Sequence, residues 1–286
     1  MKLYFIAIGL SLFVSTILMA NDDYYSPEHI YRFAEYLYQE KDYTRSAKEY
    51  ERYISVTQDK NDIALYRLGL CYRNVRDTNK AIKTFQELID KYNTLNFPAS
   101  YQIGYSYLIA NQYQDSINYI NKILSEIQNT DEKSKLYILL AYNYLNKRQW
   151  NQAIKSLDMI PQTDNDQINS LACNIREQSL KGVNLRYKNR IFASIASAII
   201  PGAGKIYCKQ YGNGIYSFVT IASTGLIAWR GFDNDGISSI KGWIFGSLCA
   251  VFYAGNIYGS GISALAYNRQ MEDEILIRLP LLPSEW

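Results

Sequence analysis

Histidine and cysteine are scarce in this 286-residue chain. It has a single histidine, His29, and four cysteines that lie far apart and form no CxxC pair: Cys71, Cys173, Cys208 and Cys249. A metal site or a histidine-based catalytic triad needs several such side chains at suitable spacing, and one histidine cannot supply them. We interpret the cysteines as small buried apolar side chains rather than as a disulfide framework. The sequence therefore predicts no metal, no cofactor and no enzymatic activity.

Glycine is scarce in one part of the chain, and charge is scarce in the other. Residues 24–190 contain only three glycines, whereas residues 191–268 contain twelve glycines and only six charged side chains. The whole-chain net charge of +3 and charged fraction of 20% are ordinary for a folded protein. These values exclude extensive disorder and the basic surface of a nucleic-acid-binding protein. We therefore expect two folded regions that face different surroundings.

The first 20 residues have the pattern of an export signal. They read MKLYFIAIGLSLFVSTILMA, which is one lysine, an uncharged apolar run and a small residue. This pattern is typical of a secretory signal peptide that is cut after Ala20. The alternative is an uncleaved anchor, because the run is nearly long enough to span a bilayer. Under either interpretation, residue 21 onward begins outside the cytoplasm.

Residues 33–160 contain a repeat with a period of about 35 residues. Four copies align without internal gaps: 33–53, 68–88, 103–123 and 140–160. Each copy has two small residues, and large apolar residues three or four positions after each of them. The small residues are Ala34, Gly69, Gly104 and Ala141 at the first position and Ser46, Ala81, Ser116 and Ala153 at the second. Small residues let two antiparallel helices cross closely, so the pattern predicts helical hairpins that stack on one another.

These spacings, over residues 27–160, resemble the tetratricopeptide repeat family. The resemblance implies an all-α superhelix, with four repeats over 21–163 and a capping helix over 164–190. It also implies that the first helix of each pair lines a concave surface that binds a protein or peptide partner. The residues expected on that surface are Tyr31, Glu35, Tyr38, Tyr66, Arg73, Asn74, Tyr101, Tyr105 and Tyr142. Tyrosine suits a peptide-binding groove, although a chain with 27 tyrosines carries some on any surface. A groove that grips a terminal carboxylate is disfavoured, because only Arg73 and Asn74 could serve it.

The glycine-rich region has two long stretches without charge, residues 211–229 and 242–268. Each is about as long as a helix that crosses the hydrocarbon core of a bilayer, so we predict a transmembrane helical hairpin. The uncharged run before the hairpin breaks at Pro201 and is too short to span, which indicates an interfacial or re-entrant helix. The membrane domain is therefore placed at 191–268 and a tail at 269–286. The alternative is a buried hairpin in a soluble core.

The phrases PGAGKIYCKQYGNG and YAGNIYGSGISALAYN resemble a bacterial membrane-hairpin domain with the motif P-G-x-G-x-x-Y. The motif residues here are Pro201, Gly202, Gly204 and Tyr207. The resemblance implies a membrane location rather than a mechanism. Asn256, within the second span, is predicted to join helices, with a role in a functional site as the alternative.

Together these features predict a non-enzymatic scaffold that is tethered to the bacterial inner membrane. Its repeats would face the periplasm and bind a protein or peptide partner, while its hairpin would contact lipid. The tail 269–286 would return to the same side, where it could dock on the repeats. The alternative function is a membrane-embedded module that forms a homo-oligomer, passes or binds a small molecule, and is regulated by the repeats. No nucleic acid is expected as a partner.

Overall fold

The computed structural model describes residues 26–57, 61–92 and 96–286. The predicted signal peptide at 1–20 lies outside these residues. All regular secondary structure in the described part of the chain is helical, which confirms the all-α prediction. The chain divides into two compact units. The first comprises residues through Lys147 together with 156–168 and 281–286, and the second comprises 148–155 and 169–280.

Eight helices follow one another through the four predicted repeats. They are α1 (Pro27–Gln39), α2 (Tyr43–Thr57), α3 (Asp62–Asn74), α4 (Thr78–Lys91), α5 (Asn96–Ile109), α6 (Tyr113–Leu124), α7 (Thr130–Asn146) and α8 (Trp150–Asp158). Several of these helices have a side-chain N-cap: Asn61, Asp77 and Asn129 each accept a hydrogen bond from a backbone N–H of the first turn.

The same turn joins the two helices of every repeat. Its central residue has a positive φ near 60° in all four copies, although none of them is glycine: Lys41, Arg76, Asn111 and Arg148. In the first turn the Asp42 N–H donates to the Leu37 carbonyl, 2.9 Å away, and the next two turns repeat this bond. These bonds satisfy carbonyls at the end of the first helix. The left-handed conformation is therefore tolerated at side chains that ordinarily avoid it.

Both small positions of the repeat are buried in all four copies, as helix crossings require. Where the second position is serine, its hydroxyl bonds across the crossing. Ser46 Oγ donates to the Ala34 carbonyl at 2.9 Å, and Ser116 Oγ donates to the Gly104 carbonyl at 2.8 Å. The helices of a pair are thus held by polar contact as well as by apolar packing.

The second unit contains the glycine-rich helices. They are α9 (Asp166–Val183), of which residues 169–183 belong to this unit, α10 (Arg190–Ile199), α11 (Ala203–Tyr207), α12 (Tyr211–Asp235) and α13 (Ile240–Ile277), with a 3₁₀ turn at Gly236–Ser238. Helices α12 and α13 pack along each other, and α10 also packs on α13. The 38-residue α13 continues beyond the predicted membrane boundary at residue 268, so the first half of the predicted tail is helical.

One helix among the described residues, α13, is long and apolar enough to cross a membrane. Helix α12 has sufficient length but does not reach the same hydropathy, because hydroxyl, asparagine and glycine residues occur within it and its charged residues lie at its end. The structure therefore contains a helical hairpin with one clear candidate span, and its insertion as a hairpin stays a prediction.

All four cysteines are free. Cys71 and Cys208 are buried as expected, and Cys249 is half-buried. Cys173 is exposed on α9, so the expectation of burial is wrong for this residue.

Candidate functional site

The groove formed by the first helices of the repeats is occupied by residues 281–286 of the same chain, Leu-Leu-Pro-Ser-Glu-Trp. We call these six residues the docked segment. It belongs to the same compact unit as the repeats, although nearly two hundred residues separate the two in sequence. The groove side chains that contact it come from α1, α3, α5 and α7.

Two consecutive backbone carbonyls of the docked segment are held by three groove side chains. Tyr101 donates its hydroxyl to the Pro283 carbonyl at 2.8 Å. The Ser284 carbonyl accepts from Arg73 Nη1 at 2.9 Å and from Gln102 Nε2 at 2.8 Å. Arg73 also donates to Gln102 Oε1, so the two side chains fix each other's orientation. Because these contacts are to main-chain carbonyls, this part of the groove recognises the peptide backbone rather than its side chains.

The last two side chains of the docked segment make chemically selective contacts. The Glu285 carboxylate lies 3.9 Å from the Arg73 guanidinium and 3.5 Å from the Tyr38 hydroxyl. The Trp286 ring meets the Tyr101 ring edge-on, with 6.4 Å between centroids. The Lys135 ammonium lies 5.4 Å from the centroid of the Trp286 ring, within the range of a cation–π interaction. The groove thus offers one place for an acid and one for an aromatic ring.

Burial keeps the groove hydroxyls protonated. It raises the pKa of Tyr38 to about 12, with the negative charge of Glu285 as a second cause. Burial also raises the pKa values of Tyr66, Tyr101 and Tyr142. These side chains therefore remain neutral hydrogen-bond donors across the physiological pH range.

Arg73 is the buried cation of the groove, with 4% of its side chain exposed. Its guanidinium also lies 5.4 Å from the centroid of the Tyr105 ring. Asn74, exposed at the end of α3, accepts from Arg73 Nη2 at 3.4 Å. A buried charge is costly unless it is well partnered, and here its partners include two groups of the docked segment.

The structure divides the nine predicted surface residues into groups. Tyr38, Arg73 and Tyr101 contact the docked segment directly. Tyr105 stacks on Tyr101 with 6.1 Å between centroids, and Tyr66 accepts a hydrogen bond from Gln102 at 3.3 Å. These two residues support those that contact the docked segment.

The remaining predicted residues lie deeper or nearer the first repeat. Tyr142 is buried on α7. Tyr31 packs against Tyr53 of α2 at 5.1 Å. Glu35 accepts from the Tyr50 hydroxyl and pairs with Arg67 at 3.4 Å. Tyr31 and Glu35 thus contribute to the packing of α1 on its neighbours.

The sequence does not identify Gln102 and Lys135 as groove residues. Gln102 is 1% exposed in the otherwise apolar middle of α5, and a lone amide in such a position is a signal for a buried polar contact. Lys135 resembles any surface lysine in sequence, and only the path of the docked segment reveals its contact.

The P-G-x-G-x-x-Y motif in the second unit forms a crossing between α10, α11 and α13. Gly202 has φ +88°, and its N–H donates to Asn256 Oδ1 at 3.2 Å. Asn256 Nδ2 donates in turn to the Ser197 carbonyl at 3.2 Å, and this asparagine is 3% exposed. A Cβ at Gly204 would overlap the Ala193 carbonyl, so only glycine fits there.

The rest of the motif packs at the same crossing. Pro201 lies in the turn after α10. The Tyr207 hydroxyl accepts from the Asn189 N–H at 3.3 Å, and its ring meets that of Phe192 at 4.9 Å. These contacts join neighbouring helices to one another. A helix-joining role for Asn256 is consistent with them and stays a prediction.

No group of three or more potential metal-ligating side chains occurs in the part of the chain that the structure describes.

Comparisons with known proteins agree with the repeat pattern. Residues 63–92, which include almost all of α3 and α4, match the tetratricopeptide repeat family. A similar solved structure is described as a TPR repeats protein from Bacteroides fragilis. That chain is 11% identical to this one, the alignment covers 88% of this chain and 98% of the other, and the TM-score is 0.35. No curated protein matches the chain.

Proposed function

We propose that this chain is a tetratricopeptide repeat protein, as the match of residues 63–92 supports, and that it is a membrane-tethered, non-enzymatic scaffold that binds a segment of a partner protein in its repeat groove. The observation that carries this proposal is the occupied groove. Arg73, Gln102 and Tyr101 hold two consecutive backbone carbonyls of a non-helical segment. Such an arrangement serves peptide binding, and tetratricopeptide repeats typically act by binding proteins.

The membrane tether is proposed for the second unit. Large apolar side chains are exposed along α12 and α13, among them Tyr216, Trp229, Val251 and Tyr258. A soluble protein rarely leaves so many apolar side chains in water, and α13 has the length and hydropathy of a span. These features support insertion of the second unit in a membrane. The export-signal pattern of residues 1–20 is the ground for proposing the bacterial inner membrane, with the repeats in the periplasm.

Photo-crosslinking in cells tests the groove. A photoreactive phenylalanine analogue at Tyr105, which is half-buried in the groove, is compared with one at Lys48, which is exposed on α2. We expect Tyr105 to crosslink to one defined segment of a second protein and Lys48 to give no such product. The product at Tyr105 should decrease when Gln102→Ala removes a carbonyl donor. Equal products at the two positions, or crosslinks at Tyr105 only within the chain, would contradict a partner-binding groove.

Impermeant maleimide labelling of spheroplasts tests the location. The exposed Cys173 is first replaced by serine, and single reporter cysteines are then placed at Lys48 and Asn234, both exposed. We expect Lys48→Cys to be labelled in intact spheroplasts and Asn234→Cys only after lysis. If Lys48→Cys is shielded until lysis, the repeats face the cytoplasm and a partner must be sought there.

The second candidate function, a membrane module that binds or passes a small molecule, is favoured by a pocket in the second unit. Its volume is about 360 Å³, and it is lined by residues of α11, α12 and α13. Lys205 Nζ donates to Ser217 Oγ at 2.7 Å in its wall. A Cβ at Gly255 would meet nothing within 4 Å, which leaves room for another helix in a homo-oligomer. This function requires a defined oligomer in detergent that Gly255→Leu disrupts, whereas the scaffold function does not.

A further inference from the structure

The docked segment has the chemistry that its groove recognises. Its Pro283 has no N–H and a restricted φ, so the backbone at this residue has little conformational freedom and presents its carbonyl without a competing donor. That carbonyl and the next are the two that the groove binds. An acid and an aromatic ring follow, and they meet a buried arginine and a lysine.

Charge complementarity distinguishes this contact from nonspecific packing. Glu285 is the acid nearest to the buried Arg73. The aromatic Trp286 lies beneath Lys135, which also lies 5.7 Å from the centroid of the Phe97 ring. A segment with a basic residue in place of Glu285 would put two cations together in a poorly solvated site, which is unfavourable.

We infer that the docked segment is a built-in ligand of the groove, and that the partner protein binds by displacing it with a segment of the same kind. In such a segment a proline is followed within three residues by an acid and then by an aromatic residue. This inference rests on the proposed function, because it names the chemistry of the partner. It adds that the groove changes between a self-occupied state and a partner-occupied state.

Tethering determines how strongly the built-in ligand competes. A tethered segment that can reach its groove has an effective concentration on the order of 1 mM. If its intrinsic Kd for the groove is on the order of 10 µM, the apparent affinity for a free peptide is about 100-fold weaker than in an open groove. A partner must therefore be tightly binding, abundant or multivalent to enter.

Fluorescence anisotropy with a synthetic peptide tests the inference. The probe is a fluorescein-labelled peptide with the sequence of residues 279–286, LPLLPSEW, with both ends blocked so that no terminal charge contributes. It is titrated with the full chain in detergent micelles, and with a chain that carries Glu285→Gln and Trp286→Ala. We expect the doubly substituted chain to bind the peptide at least 10-fold more tightly, because its own segment competes less.

Two groove variants are added to the doubly substituted chain as matched controls. Gln102→Ala should weaken peptide binding at least 10-fold, since it removes a carbonyl donor. If Gln102→Ala fails to fold, Lys135→Gln is the second groove variant, because this half-buried lysine, which also lies near the Phe97 ring, makes the cation–π contact with the Trp286 ring. Equal binding by the wild-type and doubly substituted chains, or binding that both groove variants leave unchanged, would overturn the inference.

The result also distinguishes a built-in ligand from exchange between two copies. An intramolecular segment competes to the same degree at every protein concentration, which is the expected result. Competition that grows with protein concentration, with dimers in sedimentation, would overturn the intramolecular arrangement. Crosslinks from Tyr105 to a partner without an acidic–aromatic segment would leave the scaffold function standing while this inference fails.

Discussion

Replacement of Gly69 by alanine should destabilise the second repeat, although alanine is the better helix former. Gly69 lies in α3 at the crossing with α4. An added Cβ would stand 2.5, 2.7 and 2.9 Å from three ring carbons of Phe85. Real Cβ atoms do not approach a ring so closely, so the ring would have to move. The Phe85 ring is fully buried, so any movement displaces its core neighbours.

The size of the effect follows from two opposing terms. Alanine in place of glycine stabilises a helix interior by about 0.5–1 kcal/mol, whereas overpacking a core costs about 1–3 kcal/mol and sometimes more. A rigid aromatic ring puts Gly69→Ala at the upper end, for a net loss of about 2 kcal/mol. Amide hydrogen exchange of α3 and α4 should accelerate by about 30-fold, because 1.4 kcal/mol corresponds to a factor of ten.

Gly104→Ala is the matched control, since Gly104 holds the same position in the third repeat. Its added Cβ would lie 3.1 Å from a terminal methyl of Leu139 and 3.3 Å from Ile120, and flexible side chains can give way by a few tenths of an ångström. We expect exchange in α5 and α6 to change by less than about threefold, since the two terms nearly cancel. Adding Phe85→Leu to Gly69→Ala should restore part of the lost protection. Similar exchange in both single variants would refute the steric reasoning.

Three further outcomes are expected. Ser116→Ala should reduce the stability of its hairpin by about 1–2 kcal/mol, because the hydroxyl donates to a helix carbonyl and also accepts from a buried asparagine. Ser46→Ala should reduce stability less in the same hydrogen-exchange measurement, and the reverse order would contradict this reasoning. Gly204→Ala should lower the melting temperature of the detergent-solubilised chain, because its Cβ would overlap a backbone carbonyl, while Gly255→Ala, with open space around it, should leave the melting temperature unchanged or slightly raised. The stabilising effect of keeping Tyr38 neutral should be complete below about pH 10 and be lost as pH rises toward its folded pKa of about 12. The carbon NMR signal of Tyr38, identified by its loss in Tyr38→Phe, should titrate near pH 12. Titration near pH 10 would count against burial of this side chain.

The repeats could be predicted from sequence because one spacing rule recurs four times. A small residue at a crossing and a large one beside it is a local pattern, so it survives in Ala34, Gly69 and their equivalents. The turns could not be predicted in detail. Lys41 and Arg76 give no glycine signal, and their positive φ becomes visible only when the hydrogen bonds that close the turn are known.

The groove was predictable in its location and less so in its membership. The resemblance to tetratricopeptide repeats implied that Arg73 and Tyr101 share one surface, and both contact the docked segment. It also placed Tyr31 there, but this ring packs against α2, because periodicity defines a face of a helix and not the neighbours that cover it. The role of Gln102 depends on residues far along the chain, and no local pattern encodes such a contact.

The buried arginine gives the last expectation, an order of affinities among peptides. With 4% of its side chain exposed, Arg73 needs polar partners, and departure of the docked segment removes the Ser284 carbonyl and the Glu285 carboxylate together.

The Glu285 carboxylate is 44% exposed, and half-exposed ion pairs contribute about 0.2–1 kcal/mol. Glutamine in place of this acid should therefore weaken peptide binding by about two- to fivefold. Lysine, which replaces the attraction by repulsion beside the buried Arg73, should weaken binding more than glutamine does. High salt should reduce the difference between the glutamate and glutamine peptides, because it screens the exposed carboxylate, and should leave the carbonyl contacts nearly unchanged. Equal affinities for the glutamate, glutamine and lysine peptides would show that the groove recognises only the backbone, and would remove charge from the account of its selectivity.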